Sequence, residues 1–463
     1  MRLYVTAAAV AFSLVGIGIG EAAEPAEGVP TFSKDVAPIL YDNCVVCHRE
    51  GEIAPMSLVS YQDARPWSRG IKAKVVAREM PPWYADRRFG AFSNERGLAQ
   101  EDIDTIVSWV DGGAPRGLVA DMPSVPEFPE GWAYGDPDII IPLPIEVELP
   151  AEGEIDTFSL YSPMKFEKEQ FIDRVHFRPG NARAVHHSGG FIVRVPDDAT
   201  IVDGVPMRDG SAVPSNQVER LGANSQLTDG ASKIVSYVPG RGMEQYPEGI
   251  GKRIPEGWSI RFSLHYQATG KPETDLSRLG LWNSDNPITH EILNGGSVGG
   301  DRHYIVEGKE LMVGVGEEEE GYTAQIPVIP PHAENWAITS VMPLKQDVTL
   351  HGMSPHMHLR GKDITYLVTY PDGREEVMLN VPRYDFNWQL YYELAQPLRI
   401  PAGSKITALA HYDNSIKNRH NPAPDKEVYW AEQSWDEMFN PQMRMTVDSQ
   451  DLRKTEKETT EEE

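Results

Sequence analysis

Phe171-Ile172-Asp173-Arg174-Val175-His176-Phe177 is a short run in which apolar side chains are interleaved with polar ones. Successive residues of an extended strand point to opposite faces, so this stretch predicts a β-strand with one face on a core. The same texture of short apolar alternations, punctuated by Pro-Gly and Pro-Glu-Gly turns, runs outward from about residue 135. It returns from about 335 to 447, after a looser Gly- and Glu-rich stretch around 295–321. Short alternating strands at regular spacing predict antiparallel sandwiches rather than helices. The expectation is two tandem all-β, jelly-roll-like sandwiches over 135–290 and 335–447, joined by a connecting region at 291–334.

Upstream, Met122-Pro123-Ser124-Val125-Pro126-Glu127-Phe128-Pro129 has the stiffness of an interdomain linker, placed at 117–134. Before it stand the only two cysteines of the chain, in Cys44-Val45-Val46-Cys47-His48. Two thiols three positions apart on one helical turn can each add to a haem vinyl group, with the adjacent His48 ligating the iron. A redox dithiol is the other reading of the spacing, but it calls for a βαβ setting and no following histidine. Val36, Ile39 and Leu40 lie at helical spacing before the motif, with Ser33 as N-cap. Ile103, Ile106, Val107 and Val110 form one face of a closing helix over 101–110, stopped by Gly112-Gly113. Between them, Met80 in Met80-Pro81-Pro82-Trp83 is the candidate sixth haem ligand, with Met56 as its rival. Residues 31–116 resemble a small class I cytochrome c, so the whole chain is expected to be multidomain: a small all-α cytochrome c domain followed by the two sandwiches.

The ends read differently. Arg2, an apolar run from Val5 to Gly20 and a small-residue stretch to Ala23 have the layout of a secretory signal peptide over 1–23, with a retained anchor as the alternative. No other run approaches the ~18 apolar residues that span a bilayer, so stable membrane insertion is not expected. Export to the periplasm or beyond agrees with covalent haem attachment. A net charge of −26 argues against nucleic acid or an anionic membrane as partner and suits a soluble surface able to steer a basic electron donor. Residues 448–463 read as an acidic disordered tail.

Thirteen histidines are present, and besides His48 five of them fall in motifs. His356 and His358 are two apart, on one face of an extended strand, where both can grip one metal ion. His186 and His187 are adjacent and would face opposite ways, so a shared metal needs a bulge or a strand end, which the following Gly189-Gly190 favours. His265 in Leu264-His265-Tyr266 is a third donor, and Met438 in Asp436-Glu437-Met438 offers a thioether, which shifts a mixed site towards copper. His351 and His411 are candidates for orienting ligands from behind. His176, His290, His303, His332 and His420 carry no motif, and Tyr384-Asp385-Phe386-Asn387-Trp388 reads as a packed strand without a substrate role.

The order His-His, His-Tyr, His-x-His-Leu-x-Gly-Lys and Asp-Glu-Met resembles the type II copper, ascorbate-dependent monooxygenases, the peptidylglycine α-hydroxylating and dopamine β-monooxygenase family, over about 135–447. The resemblance implies that His186, His187 and His265 hold an electron-storing copper. It implies that His356, His358 and Met438 hold the copper at which O2 reacts and a C–H bond of a small organic substrate is hydroxylated. His187 to His265 and His358 to Met438 are each intervals of about 80 residues, the size at which one sandwich supplies one site. The chain departs from the family in lacking cysteines for the disulfides of animal members. Ser354 stands where the peptide-amidating branch has an arginine, and Gln442 where it has a tyrosine, although Asn440 is kept. A C-terminal glycine peptide is therefore a poor substrate.

The cofactors expected are two copper ions and one covalently attached haem c. Electrons would come from a periplasmic donor through the haem, replacing or supplementing ascorbate. The competing expectation is a non-catalytic periplasmic electron-transfer or copper-binding protein.

Overall fold

The structure is a computed structural model that describes residues 28–128, 131–221, 232–239, 241–295, 303–311, 326–431 and 433–453. The expected leader at 1–23 and the tail beyond 453 lie outside the described residues.

The strand Gln170–Arg178, which contains the alternation at 171–177, lies inside a six-stranded sheet between Arg278–Asn283 and Ile250–Ile254. Its pairing slips at Asp173, because Trp282 faces Arg174 while Asn283 faces Ile172. That bulge changes the phase of burial, so Ile172, Val175 and Phe177 are all fully buried, whereas Phe171 is only half-buried. The facing five-stranded sheet runs Lys233–Tyr237, Val185–Arg194, Ser259–Tyr266 and Phe158–Tyr161 in spatial order, with Glu219–Arg220 beside Val185–Arg194. Phe177, Ile192, Ile260, Phe262 and Leu279 fill the space between the sheets.

The second sandwich packs a four-stranded sheet, ordered Leu293–Gly295, Asn440–Val447, Val348–His356 and Tyr392–Ile400, on a six-stranded one. The latter holds Trp336–Pro343, Lys405–Tyr412, Gly361–Thr369 and Glu375–Val381. Leu350, Met353, Tyr366, Ala410 and Met445 form its core. Leu293–Gly295, His303–Val306 and Lys309–Leu311 are strands of this sandwich, so its sheets begin well inside the region expected to be a connection at 291–334.

The all-α cytochrome c domain expected at 31–116 is not found, and the fold class is corrected accordingly: the chain is dominated by strand, 38% against 12% helix. Described α-helix is limited to Ala37–Asn43, Tyr61–Ala64, Ser68–Val76 and Gln100–Asp111. Thr31, not Ser33, caps the first helical segment, with Asp35 Oδ2 accepting from Thr31 N at 2.6 Å. No helix forms across 80–99. Pro81 and Pro82 lack N–H donors and hold the preceding residues out of helical space, so the apolar side chains that follow cannot be buried on a helix face. They are buried on the second sandwich instead. Trp83, Tyr84 and Ala85 enter its core, Ser93 N donates to Glu393 O at 2.9 Å, and Ala395 N donates to Ala91 O at 2.8 Å. Trp83, Phe92 and Tyr392 meet edge to face with centroids 4.9–5.9 Å apart. No described helix is long and apolar enough to cross a membrane.

Candidate metal centre

His265 lies in the strand Ser259–Tyr266 and pairs directly with His187 in Val185–Arg194. The next pairing joins Tyr266 to Val185, leaving His186 as the extra residue of a β-bulge. Two adjacent histidines, which a regular strand would send to opposite faces, are thereby turned to one side. Their rings stack at 4.0 Å, and the His265 ring stands edge-on to both at 5.1 and 5.6 Å. One nitrogen from each of the three rings lies within 4.8 Å of the others. Burial lowers all three pKa values, that of His186 to about 4 and that of His187 well below its ordinary value. At neutral pH all three are uncharged imidazoles with lone pairs to give. His187 Nε2 is buried with no hydrogen-bond partner, although the ring also meets the backbone of Asn387. Three converging neutral imidazoles, one with a buried nitrogen that has no hydrogen-bond partner, fit a metal ion.

The second set forms where two antiparallel strands end together. His356 closes Val348–His356 opposite Asn440, the first residue of Asn440–Val447, so Met438 is carried to His356 by the chain leading into that strand. His356 Nε2 is 3.3 Å from Met438 Sδ, and the His356 and His358 centroids are 5.2 Å apart. His358 lies just past the strand end, in the turn that leads to Gly361–Thr369. Burial lowers the pKa of His356 to about 4 and that of His358 to about 3. Each ring is held from behind: His356 Nδ1 meets Gln389 Oε1 at 2.5 Å and His358 Nδ1 meets Asp436 O at 3.3 Å. With Nδ1 protonated towards these oxygens, Nε2 of each ring is the free donor, the arrangement by which outer carbonyls fix metal-binding imidazoles.

Glu437 clasps the site from below. Its carboxylate accepts from the backbone N–H of His358 at 2.8 Å, of Arg360 at 2.6 Å and of Met438 at 3.3 Å, tying the His-x-His turn to the methionine loop. Burial pushes its pKa up to about 8, against the pull of those N–H groups and of Arg360. Arg360, itself buried, donates to Asn414 Oδ1 and Trp435 O.

Both donor sets open onto one cavity of about 520 Å³, lined by His187, His265, His356, His358 and Met438 among others. Phe386 stands between them, with its ring centroid 5.7 Å from that of His187 and 5.8 Å from that of His358. The sequence reading of 384–388 as a packed strand without a role is corrected: the stretch is a loop, and its phenyl ring faces all three histidines of the first set. Phe386, Gln389 and Lys233 carried no signal in sequence; only Glu437, next to Met438, lay in a recognisable motif. The orienting roles expected of His351 and His411 are not found, because His351 Nε2 meets Thr446 Oγ1 and His411 Nδ1 meets Asp363 Oδ1.

In the N-terminal region Cys44, Cys47 and His48 follow the helix Ala37–Asn43 in a tight turn, with Cys47 N and His48 N both donating to Cys44 O. His48 Nδ1 is 3.3 Å from Met56 O. Burial pushes the Cys44 thiol up to about 12. Met80 lines a separate cavity of about 250 Å³ with Val75, Trp83 and Leu98, which includes none of the three motif residues.

No known family's sequence pattern matches the chain, and no curated protein matches it. Among solved structures it is similar to PNGF-II at 8% identity and a TM-score of 0.24, covering 67% of this chain and 65%, just under two thirds, of that one. It is also similar to the coconut allergen cocosin at 8% identity and a TM-score of 0.12, covering 68% of this chain and 85% of that one.

Proposed function

We propose that the chain is a copper-dependent monooxygenase that hydroxylates a C–H bond of a small organic substrate with O2. The observation that supports this most is the pairing of two chemically different donor sets, three imidazoles and two imidazoles with a thioether, across one ring and on one cavity. Copper bound at the two sets would supply one-electron redox chemistry and the activation of O2. The soft Met438 sulfur favours the reduced metal, so the set with His356 and His358 is the one suited to meet O2. The remaining work falls to the chain. Gln389 and the Asp436 carbonyl hold the two imidazoles in their donor tautomer, Glu437 fixes the spacing of the loops, and Phe386 packs its ring against imidazoles of both sets.

Each turnover of such an enzyme takes two electrons. Cys44, Cys47 and His48 would hold haem covalently, as a one-electron reservoir on an exported protein, with ascorbate as the alternative reductant. The Met56 carbonyl meets His48 Nδ1, which leaves Nε2 as the nitrogen that would ligate the iron. Met80, with Met56 as its rival, is the thioether that would complete the haem ligands, and Met80 lines a cavity separate from Cys44, Cys47 and His48. Cys47 and Glu52 are close enough to Tyr237 to help raise its pKa, and Tyr237 both lines the shared cavity and pairs across strands with Ser188, next to His187.

The test is metal content on protein matured in a host competent for haem attachment. Two coppers and one haem per chain are expected, with copper falling to about one when His358→Ala and Met438→Leu are combined, and with substrate-dependent O2 uptake. Haem without stoichiometric copper after copper loading would sink the reading. Two tightly bound coppers with no O2 uptake on any C–H substrate would leave a carrier.

A further inference from the structure

One aromatic ring divides the shared cavity unequally. The Phe386 centroid lies 6.0, 5.7 and 6.2 Å from those of His186, His187 and His265. Those three rings are themselves 4.0 to 5.6 Å apart, so a point almost equidistant from all of them stands over the face of their triangle and not beside one edge. Of the two imidazoles in the second set, only that of His358 is in ring contact with Phe386, at 5.8 Å. The phenyl thus covers one face of the first set, the face that looks towards the second, and merely borders the second.

The ring is held in this place by the second sandwich. It belongs to the loop 382–391 between Glu375–Val381 and Tyr392–Ile400. Tyr384 Oη donates to Met357 O at 2.7 Å and accepts from Met357 N at 3.1 Å, which pins the loop to the residue between His356 and His358. On the other side of the phenyl, the Asn387 backbone hydrogen-bonds the His187 ring, and Gln389 Oε1 meets His356 Nδ1. Asp385 Oδ1 accepts from Asn387 N and Nδ2, each at 3.0 Å, and closes the turn. Swinging the phenyl aside would disturb contacts on both flanks, so its position is preorganised.

A bound metal takes up a small molecule only through an open coordination position, which is what separates closed sites from reactive ones. Three imidazoles leave such a position, and a phenyl offers no donor to fill it while occupying the room another ligand would need. We propose that Phe386 is a shield that denies outside ligands, O2 included, to a metal held by His186, His187 and His265, while the set with His356, His358 and Met438 stays open to them. One side chain, absent from both donor sets, thereby assigns them different work on a single cavity. The inference deepens the copper reading and rests on it.

Carbon monoxide, a Cu(I) ligand of about the size of O2, tests the shield on the full-length, copper-loaded and reduced protein. Infrared titration is expected to show one carbonyl per chain. Phe386→Ala should show two, with a second stretching band, whereas Phe386→Leu, which keeps most of the bulk, should stay at one. Combining His358→Ala with Met438→Leu removes the second set; the count there should be zero with Phe386 in place and one with Phe386→Ala. Two carbonyls in the unmodified protein, or one in a Phe386→Ala chain that still holds two coppers, overturns the proposal. So does a carbonyl on the His358→Ala, Met438→Leu protein with Phe386 in place, a result that stands even where Phe386→Ala does not fold. Copper per chain and O2 uptake on the same samples separate the two ideas. Two coppers, one carbonyl and no O2 uptake on any C–H substrate keep the shield and remove the monooxygenase reading; no copper at the first set after copper loading removes both.

Discussion

At the scale of single residues, the site is governed by which nitrogen of each imidazole keeps its proton. Gln389 decides this for His356, since its Oε1 accepts from Nδ1 and leaves Nε2 facing Met438 Sδ. Gln389→Leu would retain the bulk and remove the acceptor. Loss of such an outer partner lowers metal affinity by about 10- to 100-fold, and copper titration should show that loss at one of two sites only. Equal weakening of both sites would mean that Gln389 acts through general packing. The histidines, the cysteines and Met438 were legible in the sequence because their spacing is chemical. Gln389 and Phe386 were not, because a glutamine or phenylalanine in a polar, aromatic stretch reads as surface or core until the loop that bears it is seen crossing to another domain.

At the scale of elements, two local irregularities make the site. The bulge at His186 turns adjacent side chains to one face, and the shared end of Val348–His356 and Asn440–Val447 brings His356 to Met438. The second arrangement depends on Glu437, which is fully buried and takes three backbone N–H groups from the facing turn. Glu437→Leu would leave those donors unpaired, at a cost of about 1–3 kcal/mol each for those that find no water. Denaturant unfolding of the metal-free protein should show a loss of several kcal/mol, together with weakened copper at the second set and an intact first set. A stable variant with normal copper would show that the loops are positioned by other contacts. The need for a bulge beside Gly189-Gly190 followed from strand geometry alone. The helical reading of 31–116 failed in its middle, where Pro81 and Pro82 divert Trp83 and Tyr84 onto the second sandwich.

At the scale of the whole molecule, the two sandwiches are joined by a buried charged seam in which Arg444 of the second sandwich meets Glu244 of the first. Burial alone would raise the Glu244 carboxyl, but Arg444 and Arg241 outweigh it and hold it below its ordinary value. Glu244→Gln would leave Lys233, Arg241 and Arg444 without their carboxylate, and breaking a buried pair in this way costs about 3–5 kcal/mol. Thermal unfolding should show that loss, and a change within 1 kcal/mol would mean that water already reaches the seam. The same folded state is sensitive to acid. Burial lowers the pKa of His176 and His351 to about 4 each, from 6.5 in the unfolded chain. Below pH 6.5 the unfolded chain takes up protons on these rings and the folded one does not, so their contribution is full above 6.5 and is lost as the pH falls towards 4. Glu244, with its lowered pKa, loses its contribution in the same direction below about 4.5. Denaturant midpoints at pH 7.5, 5.5 and 4.5 should fall in that order, and less steeply in His351→Gln; a flat profile would contradict the assignment. By itself the sequence pointed to the strand-rich regions after residue 135, the Cys44-Val45-Val46-Cys47-His48 string and the residues of two candidate donor sets, the first two from side-chain spacing and the sets from spacing together with a family resemblance. Only the tertiary structure decided that Phe386 stands between the sets, that Lys233 reaches Gln442, and that the segment after Met80 belongs to the second sandwich. Those are contacts between residues distant in the chain, fixed by burial and charge pairing in three dimensions and invisible to any local period.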